Sequence, residues 1–519
     1  MTTQFGEATI GGDATLVRAD QPVIDTILNN ATMMFLAAAV DGNASAAPLL
    51  FVRDGLDLIF FCARASRIAA QLTINPAAQS VIWSSAPEPG LGVVLSGRCV
   101  PVRDPAQRAR ALALFVTRGH PLGATAEDNA AHACFSLRPS RLTLVDALAT
   151  PHFAWQDFPG NLPGESRQTL EALGHRVQIW VRAIRAPFFT AAVVPVLLGG
   201  AIAYGALLRG SAGGQWSWPL LLWVLLGAVL ANAGTNLIND YGDHKSGADD
   251  ANQSANKFSG GSRVIQLGLM APWKVLASAI LCFAATILIG LHINALLAGA
   301  FFAPTPLLAV GILGCLLGVT YTAGPLRLSY FGLGEVAVGL GFGPVIVLGT
   351  SYVLTTHAGV PCPWFGALFA AMPVGVFVML ILWINQFQDA PADAASGKRN
   401  WVVRSAERAD GGFSFARPFA AYRVFNLLGF GLILLLGALG LAYPAVATPF
   451  AWLALLPLPL FLIADQRGRR WVRKWEDPAA DQRQLPFELL SVNALTIAVH
   501  LSAGALLALG YLLAGLHQA

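Results

Sequence analysis

The sequence predicts a two-domain chain: a small antiparallel β-barrel of α+β type over residues 1–150, then an all-α polytopic membrane bundle of about nine transmembrane helices over 181–519, with a linker at 151–180. Three observations carry this. Only 12% of the 519 residues are charged, half of what an ordinary soluble protein carries, so most of the chain suits lipid. The apolar character is uneven: the first 175 residues mix charged and apolar side chains, whereas Pro187 onward is dominated by runs near the length that spans a bilayer. The first 150 residues instead show short apolar runs separated by turn signals. A net charge of +4, spread along the chain, gives no nucleic acid a footprint. Six cysteines without a CxxC spacing read as buried reduced thiols. The N-terminus lacks the basic and apolar regions of a secretory signal peptide.

In order, Met33–Val40 is a strand-length run closed by Asp41-Gly42, a hairpin signal. Pro48–Val52 and, after Asp54-Gly55, Leu56–Cys62 are the next strands. Ser66–Thr73 reads as a short helix stopped near Asn75-Pro76, Val81–Trp83 and Gly92–Val100 as strands, and Asp104–Arg118 as a helix. Cys134–Leu137 and Arg141–Val145 complete a set whose short strands suit an antiparallel barrel. Pro151, Pro159-Gly160 and Pro163-Gly164 mark the linker. Nine apolar segments follow, near 186–208, 217–239, 273–292, 295–320, 332–355, 364–385, 421–442, 446–464 and 489–515, with the third and fourth divided uncertainly around His292-Ile-Asn294. If the first helix starts inside, the even-numbered connections hold nearly all lysines and arginines, including Arg467 to Lys474, and the opposite face only Arg209. That asymmetry places the N-terminal domain on the cytoplasmic side of the cell's inner membrane.

Two acidic clusters about 150 residues apart close the second and sixth segments: Asn236-Leu-Ile-Asn239-Asp240-Tyr-Gly-Asp243 and Asn385-Gln-Phe-Gln-Asp389-Ala-Pro-Ala-Asp393. Carboxylates at a membrane boundary are expensive unless paired, which makes them functional candidates. Helical spacing puts Asn236, Asp240 and Asp243 on one face, and Asp389 with Asp393 on another. Two facing carboxylate sets suit Mg²⁺ bridging to a diphosphate. Asp249 fits as a further carboxylate. Lys257, Arg263, Lys398 and Arg399 lie in the same two loops and are the diphosphate partners expected there. The plainer alternative is that the acids only cap helix ends. Pro391, between the two aspartates, predicts a break, with Asp389 partly capping a new helical segment.

These clusters, with Arg182–Pro187, Gly234–Asp243, Tyr321-Thr-Ala-Gly-Pro-Leu-Arg327, Gly332-Leu-Gly-Glu335 and Gly341-Phe-Gly-Pro344, resemble the UbiA superfamily of intramembrane prenyltransferases, closest to its MenA branch. The resemblance implies Mg²⁺-dependent transfer of a polyprenyl group from an allylic polyprenyl diphosphate to an aromatic acceptor. The acceptor implied is 1,4-dihydroxy-2-naphthoate, with loss of CO₂, in menaquinone biosynthesis. It makes Asp240, Asp243, Asp389 and Asp393 catalytic, adds Asn236 as a metal ligand, and puts Asn239, Tyr321 and Asn385 in the acceptor or prenyl pocket. Tyr321 reads equally as an interfacial aromatic. A homogentisate or hydroxybenzoate acceptor stays open. So does an ion-coupled transporter, although its sites belong near the midplane rather than at loop junctions.

Within 1–150, Phe35–Gly42, Phe60-Phe-Cys-Ala-Arg64-Ala-Ser66-Arg67, Asn75-Pro76 and Phe135-Ser-Leu-Arg-Pro139 resemble the pyridoxamine 5'-phosphate oxidase-like split barrels. That resemblance implies an FMN phosphate near Arg64, Ser66 and Arg67, or a structural barrel that dimerises.

Overall fold

The computed structural model describes residues 21–40, 43–84, 91–119, 131–146, 154–157, 174, 176–210, 214–252, 256, 259–322, 326–480 and 484–518. The chain forms two compact units, Met1–Trp180 with Val264–Ala271, and Val181–Arg263 with Pro272–Ala519.

The first unit is built on strands β1 (Met33–Val40), β2 (Asn43–Asp54), β3 (Asp57–Ala63), β4 (Ala77–Trp83), β5 (Leu91–Pro101), β6 (His132–Asp146) and β7 (Ala154–Asp157). All pairings are antiparallel, in the order β3-β2-β1-β4-β5-β6-β7. The first half of β6 also pairs with β3, which closes six strands into a barrel and leaves its second half to hold β7. Strict alternation along β1 sends Met34, Leu36, Ala38 and Val40 inward, where Met34 and Leu36 meet Phe51, Leu58, Phe60, Leu95 and Leu137. Two helices are stopped at their starts by side chains accepting from backbone amides: Ser66 caps α2 (Arg67–Ile74) and Asp104 caps α3 (Pro105–Thr117). They follow α1 (Gln21–Asn30), which the pattern of strands did not anticipate.

Sequence and structure differ here in two ways. The two short strands expected at 134–145 are one, because Pro139 falls beside a bulge in β6, where Ser140 is the extra residue opposite Ser96 and Gly97, and the ladder resumes beyond it. Residues 154–157, expected in the linker, add a strand to β6. The Asp41-Gly42 turn and most of the linker lie outside the described residues, although Val40 pairs with Asn43, as a two-residue connection requires.

The second unit is helical. Eight described helices are long and apolar enough to cross a membrane. They are α4 (Thr190–Arg209, entered through a 3₁₀ turn at Ala186–Phe189), α5 (Trp218–Ser246), α6 (Pro272–Ala298), α8 (Gly334–His357), α9 (Trp364–Ala395), α10 (Ala416–Ala442), α11 (Pro449–Trp475, a 3₁₀ segment to Leu455 and then α-helix from Leu458) and α12 (Leu490–Gln518). A shorter apolar helix, α7 (Pro306–Thr320), follows α6 and corresponds to the expected fourth segment. His292 and Asn294 lie inside α6, and the break falls at 299–305, where Asn294 Nδ2 donates to the carbonyls of Phe301 and Ala303, both at 3.0 Å. The chain is thus a multi-pass membrane protein with a β-barrel at its N-terminal end. α9 runs through the middle of the helical core: Phe377, Leu380, Trp383, Ile384 and Phe387 are all nearly inaccessible.

Candidate active site

α5 and α9 both continue past the end of their apolar stretch, so their last turns carry acids rather than ending at the lipid boundary. A cavity of about 180 Å³ lies between them. Asn232, Asn236, Asn239 and Asp243 face it from α5, and Asn385, Gln386, Asp389 and Asp393 from α9. Arg185, Tyr321, Asp249 and Lys398 complete the polar end. One to three turns further back along α9, Val378, Ile381 and Leu382 make the wall apolar, with Phe188, Val338 and Phe342.

Lys398 ties the two clusters together. Its Nζ lies 3.2 Å from Asp243 Oδ2 and 3.6 Å from Asp393 Oδ1. Burial alone would lower the pKa of this ammonium, but Asp243 and Asp393 outweigh it and hold the group well above its ordinary value. Asn252 Nδ2 donates to Asp389 Oδ1 at 2.7 Å, and Asn400 Nδ2 to Asp393 Oδ2 at 2.8 Å. Asp240 is nearly inaccessible and turned from the open space: the Arg185 guanidinium and the Ser262 hydroxyl both donate to it, and the Ser262 amide does so at 3.3 Å. Asn239 Nδ2 donates to Thr322 Oγ1 at 2.8 Å and to Asp243 Oδ2 at 3.2 Å, which uses up its donors. The Asp249 carboxyl is pushed up to about 8 by burial, then by Asp243 and Asp240. Gly261 (φ 74°) brings backbone against these acids; a Cβ there would stand 2.9 Å from Asp249 and 3.3 Å from Asp240.

Several expected partners are placed elsewhere. Arg399 pairs with Glu407 at 2.6 Å and does not line the cavity. Arg263 donates to the carbonyls of Asp249 and Asn252, bracing that loop instead of facing the open space. Lys257 lies outside the described residues. The break expected at Pro391 is absent: α9 runs unbroken through it, so Asp389 and Asp393 sit one turn apart on the same helix and Asp389 caps nothing. Packing overrides the proline, since Phe387, whose carbonyl loses its amide partner, is clamped between Phe415 (5.1 Å) and Trp471 (6.0 Å).

Arg185, Asn252, Ser262 and Gln386 were not read as site residues. Arg185 had a signal: an arginine beside Pro187 at the mouth of an apolar chain, here with a left-handed backbone (φ 52°). Among the described residues, no three acidic, His or Cys side chains converge closely enough to hold a metal ion. The donor set is nevertheless hard oxygen, and Asp243 Oδ1 is buried with no hydrogen-bond partner among the described residues, so the acids fit a cation that is completed by a ligand's own oxygens. In the barrel, Arg64, Ser66 and Arg67 gather at the start of α2, where Ser66 Oγ accepts from the Ala69 amide at 3.3 Å.

Residues 21–146 match the pyridoxamine 5'-phosphate oxidase family model. Solved structures similar to the barrel include a heme binding protein from Mycobacterium smegmatis (17% identity, 28% of this chain and 60% of that one, TM-score 0.24) and an F420 reductase (22% identity, 23% and 94%, TM-score 0.21). Curated relatives include a 2-carboxy-1,4-naphthoquinone phytyltransferase of Synechocystis sp. (27% identity over 65% of this chain and 94% of the relative). Others are the 1,4-dihydroxy-2-naphthoate octaprenyltransferases of Mycobacterium tuberculosis (32%, over 55% and 84%) and Escherichia coli (27%, over 59% and 88%). Residues 192–492, which hold both acidic helix ends and Lys398, match the UbiA prenyltransferase family, and the chain belongs to that family of prenyltransferases.

Proposed function

We propose that the protein transfers a polyprenyl group from an allylic polyprenyl diphosphate to 1,4-dihydroxy-2-naphthoate, in menaquinone biosynthesis, with Mg²⁺ as cofactor. The observation that carries this reading is the single cavity where two acidic helix ends and Lys398 meet above an apolar wall. The similarity to naphthoate and naphthoquinone prenyltransferases supports the choice of acceptor. Asp243, Asp249, Asp389 and Asp393, with Asn236, would hold the cation, whose charge would offset that growing on the leaving diphosphate. Lys398, held between Asp243 and Asp393, would bind that diphosphate beside the acids, and Asp240 acts through Arg185, which it fixes in place. Phe188, Phe342 and the apolar residues of α9 hold the isoprenoid and keep water from the allylic cation. The acceptor's ring carbon then forms the new C–C bond, and CO₂ leaves from the ring.

The cavity mouth faces the cytoplasm in this reading, since the lysines and arginines of the loops lie on its side. In the barrel, Arg64, Arg67 and the amides at the start of α2 suit the phosphate of FMN. The test is purified protein given a polyprenyl diphosphate and 1,4-dihydroxy-2-naphthoate, with Mg²⁺ or with EDTA. A prenylated naphthoquinol that vanishes with EDTA is the expected result; no product across several naphthoate acceptors overturns the reading. The same preparation is yellow if the barrel retains flavin.

A further inference from the structure

The cavity walls change character with depth in the same way on both acidic helices. Along α9 the order toward the acidic end is Ile381 and Leu382, then Asn385 and Gln386, then Asp389 and Asp393. Along α5 it is Asn232 and Asn236, then Asn239, then Asp243. Asn239, Asn385 and Gln386 therefore lie about one helical turn, roughly 5 Å, below the carboxylates, and Asn232 and Asn236 continue this belt of amides deeper along α5. The allylic carbon is one bond from the diphosphate oxygen, so a ring attacking it lies at the depth of this belt.

Most of the belt is already engaged. Asn232 Nδ2 donates to the Phe188 carbonyl at 3.3 Å, and its oxygen accepts from Asn236 at 3.2 Å. Asn236 also donates to the Ile184 carbonyl at 3.0 Å. Asn385 Oδ1 accepts from Asn493 at 2.7 Å. Gln386 differs. It is 5% exposed and lines the cavity, and its Oε1 is sealed from solvent with no hydrogen-bond partner among the described residues. An unpaired buried amide is costly and marks a group with capacity in reserve.

We infer that Gln386 is a specificity-determining residue whose amide turns toward the cavity and accepts a hydrogen bond from the acceptor's ring hydroxyl, the one beside the carbon that is alkylated. This rests on the proposed reaction. The bond orients the ring under the allylic carbon. It also leaves more electron density on the phenolic oxygen, whose lone pair makes the neighbouring carbon nucleophilic. An acceptor whose hydroxyls are methylated leaves the amide unpaired and is rejected, because a site built to pair a hydroxyl discriminates strongly against its absence.

The test compares 1,4-dihydroxy-2-naphthoate with 1,4-dimethoxy-2-naphthoate in wild type, Gln386→Met and Gln386→Asn, reading the ratio of kcat/KM for the two acceptors. A ratio measured on one preparation cancels the fraction of folded enzyme, so a partly unfolded variant still reports. In Gln386→Met the preference for the hydroxylated acceptor is expected to shrink about tenfold or more, through loss of its turnover, with KM for the polyprenyl diphosphate little changed. Gln386→Asn, which keeps the amide on a shorter stem, should fall between. An unchanged ratio in Gln386→Met overturns the inference while leaving the reaction standing. A wild type that prenylates neither acceptor overturns both.

Discussion

At the scale of single residues, chain neighbours diverge. Lys398 sits between two carboxylates in the cavity, whereas Arg399 turns to Glu407 and is 45% exposed. Sequence made both plausible diphosphate ligands, because adjacent cations in one loop look alike and only the local backbone decides which points inward. The acids were legible because charge in an apolar run stands out; Arg185 and Asn252 were not, since their roles depend on contacts across more than a hundred residues or a left-handed turn. The difference yields a paired prediction. Lys398→Met should lower kcat/KM by about a hundredfold to a thousandfold, the scale of removing one preorganised partner of developing charge. Arg399→Ala should change it by less than about threefold, since an exposed ion pair contributes ~0–1 kcal/mol. Steady-state turnover of both variants checks this, and equal losses would mean that both cations reach the diphosphate.

Among elements, α9 decides whether the site exists, because it carries half the acids and is buried along most of its length. The helix approaches α8 backbone to backbone: a Cβ on Gly375 would stand 2.4 Å from the Gly339 carbonyl oxygen and 3.4 Å from Gly343 Cα. Small residues at such crossings are how membrane helices pack closely. Gly375→Val should force α8 and α9 apart at a cost of about 1–3 kcal/mol and misplace Asp389 and Asp393 relative to Asp243. A lower melting temperature in detergent, with turnover per folded molecule reduced tenfold or more, is the expected outcome; unchanged melting would mean the helices cross elsewhere. Element identity was readable from apolar length, including the short α7. Continuity through Pro391 was not, because a proline's cost is local while the packing of Phe387 that overrides it comes from Phe415 and Trp471.

For the molecule as a whole, the division into a barrel and a helical unit follows from composition, since alternating short runs and long uniform ones bury their apolar faces differently. That residues 264–271 group with the first unit could not be read, because nothing in a loop sequence names its contacts. Each unit has its own core, and the cysteines divide between them. Cys62, Cys99 and Cys134 are buried in the barrel, and Cys282, Cys315 and Cys362 belong to the helical unit. Burial pushes the Cys62 thiol up to about 11 and those of Cys99 and Cys134 to about 12, from an ordinary value of 9.0. Only the thiolate attacks an alkylating reagent, so near neutral pH these three should label only when the barrel opens. The sign of the pH effect follows. Above about 9 the unfolded barrel releases protons that the folded one retains, so stability falls as pH rises, by at most ~1.4 kcal/mol per thiol per pH unit. Alkylation at increasing urea, read by mass spectrometry of the three barrel peptides, should give one shared transition whose midpoint drops between pH 8 and pH 10. Rapid labelling in native buffer at pH 8, or a midpoint that does not move, would mean that these thiols are not sealed in a closed barrel core.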